Sequence, residues 1–229
     1  MPYKLHENHV AEAFASGRLP HPQGPVTTKV VQVGNLVVTS QAVLAMDPIV
    51  GAAINPFSQQ VPKGRHPVTV AIADLDGDER IAFARVQFSL HPAHSWTMAV
   101  TDAKQDPAAL GPGQFIGYGV DAGTGCFMDF DAAKLIGRRY REEGPHFSFG
   151  DVIIEEMERT YQHTRSWADI RPIEGREENI ICFSSGYGDG AYPSFFGFDA
   201  SGTVCQLVTD FRIFDGESEQ QPLERRPDL

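Results

Sequence analysis

Two runs of alternating apolar residues, Pro67 to Leu75 and Arg80 to Leu90, are separated by a segment containing Asp76-Gly77. A tight hairpin turn needs positive φ at its central positions, and Asp-Gly supplies it with little steric conflict. The chain is therefore committed to antiparallel neighbours, and other segments extend the pattern. Val26 to Val50 reads as two strands interrupted at Gly34-Asn35, with Gly51 to Arg65 irregular. Ser95 to Val100, Gln114 to Val120, Asn179 to Phe183, Ser194 to Phe198 and Thr203 to Phe214 are also strand-like, the last two joined across Asp199 to Gly202. Helical signals are fewer: a short one at His9 to Ser16 and a pair in the middle of the chain. Asp131 to Arg141 is the first of that pair. Ser148-Phe149-Gly150-Asp151 matches a capping box opening the second, whose Ile153, Met157 and Tyr161 share a face. Helices that come together, not alternating with strands, predict an α+β fold: a mostly antiparallel β-sheet or sandwich with a two-helix insert at about residues 131–165. The expected organisation is a single domain over 1–214 with a flexible polar tail over 215–229.

With 229 residues, 41% of them hydrophobic, the chain has material for a sizeable core. A net charge of −11 argues against nucleic acid as a partner, because such proteins present a basic face. No apolar run approaches the length of a membrane span, and the first residues show no apolar signal core. Cys126, Cys182 and Cys205 are odd in number and form no C-x-x-C pair, so neither a disulfide framework nor a structural zinc site is expected. These features together predict a cytoplasmic protein without a membrane partner.

Two Gly- and Asp-rich stretches mark the expected site: Asp121 to Asp129 and Ser184 to Pro193. Uncovered N–H groups in such loops can bind anions, and carboxylates beside them can hold a hard divalent cation. The ligand-binding candidates are Gly123, Thr124, Gly125, Ser185, Gly188 and Tyr192, with Lys63 and Arg65 supplying positive charge. Asp121, Asp129, Asp189 and Asp210 are the candidate metal ligands. Asp121, Asp189 and Cys126 are the catalytic candidates, Cys126 only if local groups lower its thiol pKa. Each has a plainer structural counterpart. The loops can be turns capped by aspartate, Cys126 a small core residue, the serines turn-bonding hydroxyls, and Lys63 and Arg65 partners of surface carboxylates. The phosphate-loop patterns and G-x-S-x-G are absent. His6 with His9, and His91 with His94, have spacing three but loop-like or terminal flanks. Asp74, Asp76, Asp78 and Glu79 read as an exposed acidic hairpin turn.

Asp47-Pro48, the run Pro62 to Val68, Tyr118 to Asp129, Ser184 to Pro193, Gly197 to Asp199 and Asp210-Phe211 together resemble the bacterial family called domain of unknown function 4241. The resemblance covers roughly residues 35 to 214 and implies that these pieces belong to one unit. It carries no catalytic residue. Two functional expectations stand side by side. One is a small-molecule-binding or metal-dependent hydrolase-like protein working at the two loops. The other is a non-catalytic protein-binding module, such as an immunity-type partner, in which the glycines are architectural.

Overall fold

The computed structural model describes residues 1–51, 55–144 and 146–215. Residues 216–229, nearly all of the expected tail, lie outside the described residues. The strands are β1 (Arg18–Leu19), β2 (Val26–Val38), β3 (Val43–Met46), β4 (Gly64–Leu75), β5 (Asp78–Gln87), β6 (Ser95–Met98), β7 (Gly117–Val120), β8 (Thr124–Asp129), β9 (Trp167–Ile170), β10 (Ile180–Ser184), β11 (Gly190–Phe198) and β12 (Val204–Asp210). The α-helices are α1 (Glu7–Ala13), α2 (Phe130–Glu143) and α3 (Phe149–Glu158). Every strand pairing is antiparallel, so the α+β expectation holds.

The strands form two sheets. The larger runs β1-β2-β4-β5-β12-β11-β6, with β7 added to β11, and the smaller runs β3-β8-β10-β9. Strand alternation sorts the apolar side chains among three cores. Phe127, Ile181 and Phe183 of the smaller sheet meet Val70, Ile72, Phe196 and Leu207 of the larger one. Their strand neighbours Cys126, Met128, Ile180 and Cys182 face the other way, onto Ala132, Ala133, Phe149, Ile153 and Met157 of α2 and α3. On the outer face of the larger sheet, Ala73, Phe83, Phe195 and Val208 receive Tyr3, Leu5, Val10 and Ala13 from the N-terminal segment and α1. The order of layers is thus α1, larger sheet, smaller sheet, α2 with α3.

Local chemistry explains most boundaries. Asp76 and Gly77 adopt φ of +58° and +92°, the mirror-image turn that the Asp-Gly pair favours. Ser148 Oγ accepts from Asp151 N at 3.2 Å and caps α3, which buries Ile153 and Met157. Tyr161, expected on that face, falls beyond the helix and is exposed. The expected break at Gly34-Asn35 is absent: β2 continues through it with only a register shift between Gln32 and Gly34. Gly34 serves close packing instead. A Cβ there would stand 2.6 Å from Ile181 Cδ1 and 2.9 Å from Asp169 Oδ2, so the smaller sheet could not approach.

Candidate functional site

The two Gly-rich turns come together because their flanking strands pair. β8 meets β10 as far as Thr124 opposite Ser184, and β7 meets β11 from Val120 opposite Gly190. The turns at 121–123 and 185–189 therefore emerge side by side. Ser185 N donates to Gly123 O at 3.0 Å, and Gly123 N donates to Asp189 Oδ1 at 3.2 Å. Gly123 and Gly188 sit at φ of +61° and +108°, where side chains are strained. Buried Asp47 completes the junction. Its Oδ2 accepts from Asp121 N at 2.9 Å and Ala122 N at 2.8 Å, while Oδ1 accepts from Ile49 N and Val50 N. Carboxylates thus already occupy turn amides that an anionic ligand would need.

The expected metal constellation does not assemble. Asp121 is exposed on the turn and Asp189 braces the neighbouring turn. Asp129 lies at the far end of β8, where six residues of strand span about 17 Å. There it is fully buried and accepts from Thr39 N, Ser40 N, Asp131 N and the Ser40 hydroxyl at 2.8–3.1 Å. Asp210 shares its end of β12 with Phe211. Phe211 enters the inter-sheet core, while Asp210 bonds Tyr3 on the opposite face. Among the described residues, no group of three or more His, Cys, Asp or Glu is placed to hold a metal ion.

The remaining candidates are structural in the same sense. Cys126 lies in the middle of β8, opposite Met46 and Cys182, and has no exposed surface. Burial pushes its thiol far above the usual range, the reverse of nucleophilic activation. Thr124, Gly125 and Ser185 are buried. Gly125 makes room for the Tyr118 hydroxyl, which would stand 2.8 Å from a Cβ. Ser185 Oγ and Tyr192 OH both donate to Gly188 O, at 2.9 and 2.8 Å, fastening the turn from within. Lys63 and Arg65 lie at the opposite end of the sandwich. Lys63 acts on Asp131, and Arg65 pairs with Glu177 at 3.3 Å.

Beside the joined turns is a polar network built on the hairpin read from sequence as an exposed acidic turn, whose Asp78 and Glu79 are in fact partly buried and bonded to distant residues. Arg80 bonds Asp78 at 2.9 Å, reaches Gly186 O at 3.4 Å, and lies under the Tyr187 ring at 5.5 Å. Asp78 accepts from Thr164 Oγ1 at 2.8 Å. Burial pushes the Asp78 carboxyl up, but the Thr164 and Arg80 bonds outweigh it and leave the group below its usual value. Next along the strand, Glu79 accepts from Lys29 and, at 2.5 Å, from Arg165 Nε. The Lys29 bond is the foremost cause of its lowered pKa; Arg165 adds to it against the effect of burial. Arg165 retains only 5% exposure, so this pair anchors a buried guanidinium. Lys29, Asp74, Gly77, Glu79, Gln162, His163 and Arg165 line a cleft of about 420 Å³. His163 stands at its edge with φ of +55°, a left-handed conformation uncommon outside glycine. The available signal was the charge run Asp74 to Arg80. Its partners lie some 85 residues away, at Thr164 and Arg165, and no local pattern announced them.

These two sheets, flanked by helices and closed at one end by braced turns, define an antiparallel α+β sandwich protein. The chain belongs to the family described as protein of unknown function (DUF4241), which matches residues 36–209. The match spans both braced turns and the hairpin that carries Asp78, Glu79 and Arg80. No curated protein and no solved structure matches the chain.

Proposed function

We propose that this chain binds a small polar molecule bearing an anionic group, phosphate or carboxylate, in the cleft edged by His163. Lys29, whose side chain stays about half exposed beside Glu79, would meet the anion, while exposed Gln162 and the backbone at Gly77 supply further polar contacts. The carrying observation is the strained backbone of His163 at the rim of a charged cleft. A non-glycine residue held there costs on the order of 1 kcal/mol, which surrounding structure must offset, and such strain gathers at ligand sites. The proposal keeps the small-molecule half of the sequence-based expectation. It sets aside the metal-hydrolase half, because the four aspartates are dispersed and Asp129 is saturated with protein donors.

Isothermal titration with inorganic phosphate tests the proposal. The parent is expected to bind with a Kd on the order of 1 mM, and Lys29→Gln to weaken it about fivefold or more. His163→Gly relieves the left-handed strain but frees the unfolded chain by a similar amount, so stability is expected to change by less than about 1 kcal/mol while binding weakens. A loss of affinity without a loss of stability distinguishes a ligand contact from a merely structural histidine. No heat of binding for phosphate or for acetate would overturn the proposal.

A protein partner is the second reading, favoured by exposed Tyr161 and Tyr187 near the cleft. It predicts a stoichiometric complex that the Tyr187→Ala substitution weakens, and unchanged affinity for phosphate.

A further inference from the structure

The phenol oxygen of Tyr3 lies 2.8 Å from Asp210 Oδ2 and 3.0 Å from Asp215 Oδ1. All three residues are buried. A phenol has one hydrogen and donates one full bond, while an ionised carboxylate only accepts. With both carboxylates ionised, one of these two contacts would set lone pairs against lone pairs in a site shielded from water. A single proton on a carboxyl group removes the conflict. The carboxylic acid donates to the phenol oxygen, and the phenol donates onward to the other carboxylate.

The surroundings decide which acid carries the proton. Asp215 Oδ2 accepts from the Arg212 guanidinium at 2.5 Å, so a negative charge is better placed there than on its neighbour. Among the described residues, Asp210 accepts from Arg212 N at 2.8 Å on Oδ1 and meets Tyr3 at Oδ2, which is placed to carry the hydrogen. We propose that Asp210 is a buried carboxylic acid linked through Tyr3 to the Asp215 carboxylate, and that this shared proton fastens the N-terminal segment to the larger sheet. Tyr3 comes from the N-terminal segment, whereas both acids follow or end β12, so the relay joins two parts of the chain more than 200 residues apart. Arg212 adds support: it holds φ of +58° and stacks over Tyr3 at 5.3 Å and Phe115 at 5.1 Å.

The charged and titratable groups facing the relay are Tyr3, Asp215, Arg212 and, from α1, His9, which feels the Asp215 charge. Burial, followed by the Asp215 charge, pushes Asp210 up to about 7. A carboxyl raised in the folded state stabilises that state fully at pH below the ordinary carboxylate range. The contribution declines as pH rises towards about 7, and no further loss follows above it. Docking of Tyr3 and α1 is therefore tightest in acid and looser above neutrality.

Carbon-detected NMR of the aspartate carboxyl groups reads the proton directly in the full chain. Asp210 is expected to titrate near 7; an Asp210 midpoint below about 5, near the unperturbed range, would overturn the proposal. Amide exchange over residues 3–13, corrected for intrinsic rates, gives an independent reading. The parent is expected to lose protection about tenfold or more between pH 5 and 8, and Asp210→Asn, which imitates the protonated acid, to show a flat profile. An equal slope in parent and variant would overturn the proposal, and the carboxyl titration decides it should the variant not fold.

Discussion

Single residues carry the close approaches on which this sandwich depends. Gly125 sits in a central strand whose neighbours leave no space for a methyl group: Tyr118 OH at 2.8 Å and Phe183 Cε2 at 3.2 Å from a Cβ. The Tyr118 hydroxyl is buried beside Thr209, with no open space to move into. Gly125→Ala is expected to destabilise the protein by about 1–3 kcal/mol through overpacking, measured by urea denaturation with an unchanged m-value. A neutral result would show that the Tyr118 ring moves freely. The residue scale is also where sequence reading was most easily misled. Glycine density at 121–125 suggested an open loop, yet only the stretch before Thr124 turns; Gly125 and Cys126 continue as strand. A glycine that admits a neighbour and a glycine that bends the chain look identical in one dimension.

The elements were the legible level. The Asp76-Gly77 hairpin, the Ser148 cap and the paired helices follow from short-range chemistry, and all are present. What stayed hidden were contacts made between elements. Asp129 shows the difference: it N-caps α2 through Asp131 N and also grips the turn after β2 through Thr39 N and Ser40 N. Its sequence neighbourhood indicated a capping aspartate or a metal ligand, and nothing nearby pointed to residue 39. Asp129→Ala is expected to cost about 3 kcal/mol, because buried N–H donors lose their acceptor along with the cap. A thermal or chemical denaturation loss under about 1 kcal/mol would show that water replaces the carboxylate. The β4–β5 hairpin follows the same rule. Its turn was readable, but the service of Asp78 and Glu79 to Thr164 and Arg165 was not.

At the scale of the whole molecule, the layered arrangement sends the ends of many strands to one polar edge. The Gly-rich turns, the tip of the β4–β5 hairpin and the segment Gln162 to Arg165 meet there, linked by Arg80 to Gly186 O and by Glu79 to Arg165. Lys63 and Arg65 lie at the other end, which separates the charges that a linear reading had combined into one site. None of the helices in the described residues is long and apolar enough to cross a membrane. We propose the cleft, and not the pair of braced turns, as the place that receives a ligand. Amide-resolved NMR during titration with inorganic phosphate tests it most directly. Saturable shifts are predicted at Gly77 and at residues 162–165, with residues 121–123 and 186–189 little changed. Shifts confined to those two turns, or none anywhere, would contradict the account.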